Sequence, residues 1–407
     1  MAKTTPKIIP KNANVLQVDS SVWKVLDRLQ KVLDKFWQLP VKISGHELKI
    51  VPNSAMTGYF LAAGSMTFIW ILTVLLCYKV ILFSDPDFIP LTAVVSTLIL
   101  SDCGSALTIT YSLFVNRSDV VFAVRAANSI MDDIPDGRPR KISPLDIRTI
   151  LADGVLNSLL AFPAFGLLVP FVNGECAPYF YLFRHFSLPF PISECISALI
   201  YFQLMLQTSF VTAFFLLYVM ICLEFLNQGL QCIALGASFC ERNSKTKFTQ
   251  SKWAKSKLTP VTFAKSLKIH RKISIILQLL NIISLFPAPA LMGIVLCLGA
   301  VFIYGTISLY HVFNNPLLYL VGPMMLISIF VGCAAIFPEL VNINLYSEEW
   351  IRTSGRKLVS KEGRRVVRSI RPLRVMLGDF YFFKRSVIID VLGIVMYHGV
   401  TLVLAVK

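Results

Sequence analysis

The longest uncharged stretch of the chain covers residues 273–338, which contain no Lys, Arg, Asp or Glu. About a quarter of the residues in a typical soluble domain are charged, so a run of this length does not suit one. A membrane-spanning helix needs about 20 predominantly apolar residues, which makes this run too long for a single span. Asn314, Asn315 and Pro316 supply turn signals near its middle. The run therefore predicts two spanning helices joined by a short turn.

The same criterion finds seven apolar segments in the whole chain, of which 55% of the residues are hydrophobic and only 15% charged. The predicted spans cover residues 56–83, 88–114, 149–172, 196–225, 273–303, 316–337 and 386–406. We therefore predict an all-α membrane protein with seven transmembrane helices. The sequence FPAPA at 286–290 is expected to kink the fifth span.

Lysine and arginine are concentrated in alternate segments between these spans. Of the 39 basic residues, 36 lie before the first span or in the segments that follow spans two, four and six, and only two lie in the other alternating segments. Cytoplasmic loops carry the excess of Lys and Arg in membrane proteins. The pattern predicts a cytoplasmic N-terminus and a short extracellular C-terminus. It also explains the net charge of +16 without a nucleic-acid partner.

The string NPLLY at 315–319 matches the N-P-x-x-Y pattern of G-protein-coupled receptors, where it marks the inner end of the last helix. In this chain it opens the sixth predicted span near the outer face, with a seventh span still to follow. The predicted N-terminus also lies on the wrong side for such a receptor. We interpret the string as a helix start with proline in the first turn.

Residues 21–37 predict an amphipathic helix before the first span. Apolar residues recur at helical spacing, with Lys24, Arg28, Lys31 and Lys35 on the opposite face. Such a helix could lie in the inner membrane interface with its cations near lipid headgroups. It could equally pack on the cytoplasmic base of the protein itself.

Three acidic residues lie within or at the edges of predicted spans: Asp102, Asp153 and Asp390. Intramembrane acids are costly, so each is a candidate functional residue. They could attract cations, pair with Lys or Arg at the inner interface, or bond a neighbouring helix. No catalytic motif, metal-ligand spacing or phosphate-binding loop appears, so we expect neither an enzyme nor a cofactor.

Cys176 and Cys195 share the predicted outer loop between spans three and four. Thiols outside the cell oxidise readily, so a disulfide closing this loop is one expectation. Two unpaired cysteines near the ends of spans are the alternative.

The C-terminal stretch SIRPLRVMLGDFYFFKRSVIIDVLGIVMYHGVTLVLAVK, residues 369–407, resembles the signature end of the arthropod gustatory and odorant receptor superfamily. There a basic cytoplasmic segment leads into a P-L-x-x-x-x-G-x-F-F run and then a last span with a Thr-Tyr or Ser-Tyr pair. The first part is matched by Pro372, Leu373, Gly378, Phe380 and Phe382 or Phe383, and the pair is matched by Tyr397 with Met396 before it. Val403 replaces the glutamine of the gustatory ending, which leaves the gustatory and odorant classes both open.

The resemblance implies a chemoreceptor channel of the plasma membrane that assembles as a homo- or hetero-tetramer, with or without a co-receptor subunit. It divides the chain into a cytoplasmic segment 1–55, a six-helix ligand-binding region 56–337, an inter-subunit anchor 338–385 and a pore-lining helix 386–407. The anchor would include Pro372, Leu373, Gly378 and Phe380.

The resemblance also implies a pore along the last span and a ligand pocket among spans two to six. Alignment on Tyr397 puts a hydrophobic gate at Val400, with Val403 one turn further on. Pocket candidates in the outer halves of the spans are Tyr201, Phe202, Gln203, Tyr319 and Met324.

A ligand-gated, non-selective cation channel for small tastants or odorants is therefore the function that we expect. The alternative from another class is a multi-span transporter or lipid-handling protein that uses the intramembrane acids.

Overall fold

The computed structural model of the protein describes residues 21–44, 47–83, 90–133, 190–235, 260–308, 316–358, 360–378, 381–384 and 386–405, with scattered positions between 150 and 189. Its helices are α1 Ser21–Leu33, α2 Thr57–Phe83, α3 Pro90–Val115, α4 Arg117–Asp132, α5 Phe190–Leu235, α6 Pro260–Ile283, α7 Pro287–Ser308, α8 Pro316–Lys357, α9 Lys361–Ser369 and α10 Val387–Ala405. Two antiparallel hairpins pair β1 Val41–Ser44 with β2 Glu47–Ile50 and β3 Met376–Leu377 with β4 Tyr381–Phe382.

Long apolar helices dominate the described part of the chain. Four of them are long and apolar enough to cross a membrane, over Thr57–Tyr78, Pro191–Ala234, Pro287–Tyr304 and Phe330–Arg356. Shorter apolar helical segments cover Ile99–Val115 and Ile389–Leu404. The chain is therefore a helical, multi-pass membrane protein. The third predicted span is described only at isolated positions, which are helical, so the count of seven spans stays a prediction.

Three predicted spans have different bounds in the structure. The fourth, expected at 196–225, extends as α5 from Phe190 to Leu235. The fifth, expected at 273–303, is divided between α6 and α7 by a turn at 284–286, so the kink expected at FPAPA is a complete break that lets α7 begin at Pro287. The sixth, expected to end at residue 337, continues without interruption to Lys357. The predicted anchor segment therefore begins as an extension of a spanning helix.

The basic segments gather at one end of the helix bundle, which we call the basic end. There α4 contacts α5, α6 and β2, while α1 contacts α5 and β1. The main hydrophobic core lies at this end and extends through the inner halves of α3, α5 and α8 to the start of α10. A second, smaller cluster joins the opposite halves of α2, α3 and α5.

Helix α1 packs on the protein rather than lying free. Its stripe of Trp23, Leu26, Leu29 and Leu33 is at most 3% exposed and belongs to the main core. The buried amide of Gln30 accepts a hydrogen bond from the Ile43 backbone N–H, which ties the helix to β1. Of the two interpretations of the amphipathic pattern, the structure supports packing on the protein's own base.

Helix α10 is buried along only one narrow stripe. Val387, Val391 and Val395 are 6% exposed or less, and Gly399 continues the stripe. An added Cβ at Gly399 would lie 2.8 Å from Ile303 Cβ on α7, so this contact needs a glycine. Most of the other described residues of the helix are exposed, and Leu402 and Val403 are half-buried.

Replacing Leu29 with alanine tests the packing of α1. The fully buried side chain leaves a cavity, so we expect the free energy of unfolding to fall by about 2–5 kcal/mol. The thermal midpoint of the detergent-purified chain measures this loss. Leu61→Ala is the control, because Leu61 on α2 is 70% exposed and its truncation should move the midpoint little. Equal midpoints for the two variants would contradict the packing.

Candidate ligand cavity and pore helix

A cavity of about 560 Å³ lies between the spanning helices. Its walls come from α3, α5, α6, α7 and α8, from the region of the third predicted span, and from the segment that contains β3. Most of the lining residues are aliphatic or aromatic. Those contributed by α7 and α8 include Leu291, Met292, Val295, Leu298, Phe302, Ile327, Val331, Gly332, Cys333, Ile336 and Phe337.

The cavity is elongated along α5. Its lining residues on that helix extend from Thr208 to Leu223, which corresponds to about 22 Å of helix at 1.5 Å per residue. A cavity of this size and apolar character suits a small organic molecule. Gly332 has no side chain and leaves open space in the wall, since a Cβ added there would meet nothing within 4 Å.

A few polar side chains interrupt the apolar wall. Asp102 comes from the middle of α3, and Thr208, Ser209 and Thr212 come from α5. Asp102 Oδ2 and Ser209 Oγ are buried and have no hydrogen-bond partner among the described residues. Asp102 is also the one charged residue among the described residues that line the cavity. The acid could be identified from the sequence, but the hydroxyls that line the same cavity could not, because Ser and Thr are common in spanning helices.

The predicted pocket residues on α5 lie about two turns away from this cavity. Tyr201 is 1% exposed and packs on Tyr179, with ring centroids 5.4 Å apart, in the smaller hydrophobic cluster. Phe202 and Gln203 are half-buried, and neither is among the residues that line the cavity. The side chains of Tyr319 and Met324 on α8 lie outside the described residues. A ligand role for these five residues stays a prediction.

The segment that precedes α10 forms the inner wall of the cavity. Val375, Met376, Leu377 and Phe383 all line it. This segment is held from α6 by Asn281, whose Nδ2 donates to the Arg374 carbonyl at 3.3 Å and whose Oδ1 accepts from the Met376 N–H at 3.1 Å. Asn281 thus links one wall of the cavity to the chain entering the pore helix.

A second polar contact fixes the same segment at the basic end. Ser347 Oγ on α8 accepts a hydrogen bond from the Leu373 N–H at 3.0 Å and lies 3.2 Å from His270 Nε2 on α6. The His270 ring stacks on Trp350 with centroids 4.4 Å apart. Burial lowers the pKa of His270 to about 4, so the ring is neutral at physiological pH. These contacts were not predicted from the sequence, because the residues that form them come from three separate elements.

The predicted anchor residues pack within the chain. Leu373 is buried in the main core, and Pro372 lines a cleft of about 340 Å³ together with Arg271 and Arg371. Gly378 adopts a φ of +65° in the turn between β3 and β4. Only glycine enters this left-handed region easily. Phe380 lies outside the described residues.

The predicted pore residues differ in exposure on α10. Tyr397 is 68% exposed and lies opposite the buried stripe. Val400, one turn further along and next to Tyr397, is 45% exposed. Val403 is half-buried at the flank of the stripe. The exposed face therefore includes both the predicted gate residue and the aromatic residue used for the alignment.

The other two acids within or at the edges of predicted spans, Asp153 and Asp390, contact polar side chains of the protein. Asp153 pairs with Arg28 on α1 through an Oδ1–Nη1 distance of 3.3 Å, which confirms an ion pair at the basic end as one of the roles considered. Asp390 accepts a hydrogen bond from Ser386 Oγ in the first turn of α10, where a negative charge is favourable.

The predicted disulfide and the search for metal ligands give no further site. Cys195 is exposed on α5, and its proposed partner Cys176 lies outside the described residues, so the disulfide stays a prediction. No group of three His, Cys, Asp or Glu side chains that could hold a metal ion occurs within the described ranges.

Comparison with known proteins identifies the fold. The sequence matches no protein-family model and no curated protein. The structure matches the insect olfactory receptor OR5 from Machilis hrabei in complex with eugenol, with a TM-score of 0.65 and 14% identity over 95% of this chain and 99% of that receptor. A second structure of the same receptor gives a TM-score of 0.64 and 14% identity over 93% and 97% of the two chains. The chain therefore has the fold of an insect olfactory receptor.

Acidification is expected to destabilise the fold through His270. The unfolded chain binds this proton near pH 6.5 and the folded chain only near pH 4, so the unfolded state carries more protons between these values. The free energy of unfolding is therefore highest, as far as His270 is concerned, above pH 6.5. It decreases as the pH falls toward 4, by no more than about 3 kcal/mol. Thermal midpoints of the purified chain at pH 7.5 and 5.0 measure the loss.

The matched control for this measurement is His270→Gln, which keeps a neutral polar side chain but cannot titrate in this range. This variant should be less stable at pH 7.5 and should lose less of its midpoint on acidification than the natural chain. Equal losses in the two proteins would show that other groups cause the pH dependence.

Proposed function

We propose that the protein is a chemosensory receptor of the plasma membrane that acts as a ligand-gated, non-selective cation channel. The observation that carries this proposal is the elongated apolar cavity of about 560 Å³, enclosed by the fold of an olfactory receptor that was solved with eugenol. The ligand is a small organic odorant or tastant. The absence of catalytic motifs in the sequence fits a receptor rather than an enzyme.

The proposed topology has seven spans with a cytoplasmic N-terminus and an extracellular C-terminus. The gathering of α1, α4 and α6 at the basic end supports it, because the segments predicted to be cytoplasmic lie together. The positive-inside rule then assigns the basic end to the cytoplasm.

The proposed pore lies along α10 in a tetramer, formed by this chain alone or with a co-receptor. Its narrow buried stripe supports this role, since most of the helix circumference remains available to neighbouring subunits and to the pore. Val400 provides the hydrophobic gate, flanked by Val403 and by Tyr397. A narrow apolar ring of this kind blocks ions by excluding water. The segment that includes Pro372, Leu373, Gly378 and Phe380 contributes to the contacts between subunits.

The cavity and the proposed pore helix share two structural elements, which allows a ligand in the cavity to affect the gate. Helix α7 lines the cavity with Val295 and Leu298 and packs on α10. The segment from Val375 to Leu377 lines the cavity and leads into α10. A ligand opens the channel if it binds more tightly to the open arrangement of these walls than to the closed one.

Filling the cavity from Gly332 tests the ligand site. Gly332→Phe places an aromatic ring in the open space of the wall, so the eugenol-evoked current should fall at least tenfold at normal surface expression. Gly293→Phe is the matched control, because Gly293 on α7 also has open space around it and does not line the cavity. If eugenol evokes no current from the natural chain, a panel of volatiles, sugars and bitter compounds replaces it. A current unchanged by Gly332→Phe would contradict the assignment of the cavity.

Enlarging the gate residue tests the pore assignment. Val400→Trp adds bulk on the exposed face of α10, so the ligand-evoked cation current should be strongly reduced or abolished while ligand-induced thermal stabilisation persists. Ile389→Trp is the control on the same helix, since Ile389 is 74% exposed near its other end. An undiminished current in Val400→Trp would remove Val400 from the gate.

A further inference from the structure

An acidic side chain lies in the apolar wall of the cavity. Asp102 Oδ2 is buried and has no hydrogen-bond partner among the described residues, and no lysine, arginine or histidine is found among those that line the cavity. An unpaired acid in an apolar environment costs free energy and is rare in membrane helices. Since no described residue accounts for this atom, a ligand in the cavity is a candidate partner for it.

The position of Asp102 separates it from bulk water. It follows Pro90 by 12 residues and precedes Val115 by 13 in α3, so it lies about 18 Å from either end of the helix. The neighbouring residue Cys103 belongs to the buried cluster that includes Leu204 on α5. The side chain of Asp102 is not fully enclosed by protein, because part of its surface faces the cavity.

The residues that line the cavity with Asp102 indicate which kind of ligand would suit this acid. Thr208, Ser209 and Thr212 line the same cavity, and Ser209 Oγ is buried with no partner. A carboxylate accepts charge-assisted hydrogen bonds, which are about twice as strong as those between neutral groups. Beyond these hydroxyls the wall continues along α5 as Phe215, Leu216 and Val219, which suits an apolar body.

We propose that Asp102 makes the cavity selective for protonated amines with an apolar body. The ammonium group donates hydrogen bonds to the Asp102 carboxylate and the hydroxyl of Ser209 accepts a further bond, while the hydrocarbon part lies along α5. This inference rests on the proposed receptor function and names its ligand class. A neutral alcohol of the same shape fits the cavity but lacks the ionic contact, and a carboxylate is repelled.

Three isosteric probes separate these cases: 2-phenylethylamine, 2-phenylethanol and phenylacetate. They differ in the head group alone, and the amine is protonated at pH 7.4. Dose–response currents from the full chain expressed in oocytes should show the amine acting at a concentration at least tenfold lower than the alcohol. Asp102→Asn should abolish this difference by weakening the response to the amine at least tenfold and leaving that to the alcohol within about threefold.

Two further variants control for charge and for folding. Asp102→Glu keeps the carboxylate and should retain the preference for the amine. Asp27→Asn removes an acid from the exposed ion pair with Lys31 on α1 and should change neither response. Surface labelling of each variant reports whether the protein folds and reaches the membrane.

A binding measurement separates failure of this inference from failure of the proposed function. Thermal stabilisation of the detergent-purified chain is measured with each probe, for the natural protein and for Asp102→Asn. Stabilisation by the amine alone, lost in Asp102→Asn, supports the amine site even if no probe evokes a current, and only the channel function then fails. Equal effects of amine and alcohol that Asp102→Asn leaves unchanged overturn the amine site, whatever the currents show. Absence of both stabilisation and current with all three probes also overturns it.

Discussion

Exclusion of unsatisfied polar groups from the hydrocarbon core of a membrane is the constraint on which this structure depends. Within that core the backbone can satisfy its hydrogen bonds only by forming helices or closed barrels. The apolar helices α2, α5 and α7 meet this condition along their whole spans. The turn at 284–286 separates α6 from α7 beside the cavity, which Ser284 lines.

The positions of the spanning helices could be predicted because they depend on local composition. The bounds of α2, α3 and α10 follow the ends of apolar runs to within about two residues. The length of α8 could not be predicted in this way, because its last turns, including Ser347 and Trp350, are stabilised by His270 and Leu373 from distant parts of the sequence. Hydropathy indicates whether a residue tolerates lipid. It carries no information on contacts between residues that are distant in the sequence.

The candidate site also contains residues that could be predicted from the sequence and residues that could not. Asp102 was recognisable from sequence, since an acid in the middle of a span is costly wherever it faces. The other residues that line its cavity were not recognisable from sequence. An apolar side chain such as Leu298 or Phe302 has the same sequence pattern whether it faces lipid, a neighbouring helix or a ligand. The resemblance in the C-terminal 40 residues predicted a pore along α10, and that assignment stays a prediction. It could not place the cavity, which is built mainly from parts of the chain that lack the matching motif.

The close approach of α7 and α10 separates two kinds of position in the last helix. A Cβ at Gly299 would lie 2.7 Å from Val395, and one at Gly399 would lie 2.8 Å from Ile303, so a side chain at either glycine would force its neighbour to shift. Tyr397 and Val400 are exposed instead. Under the proposed pore assignment, the exposed face of α10 is therefore free to vary in evolution while its packing on α7 is kept, and single substitutions there are enough to alter conductance.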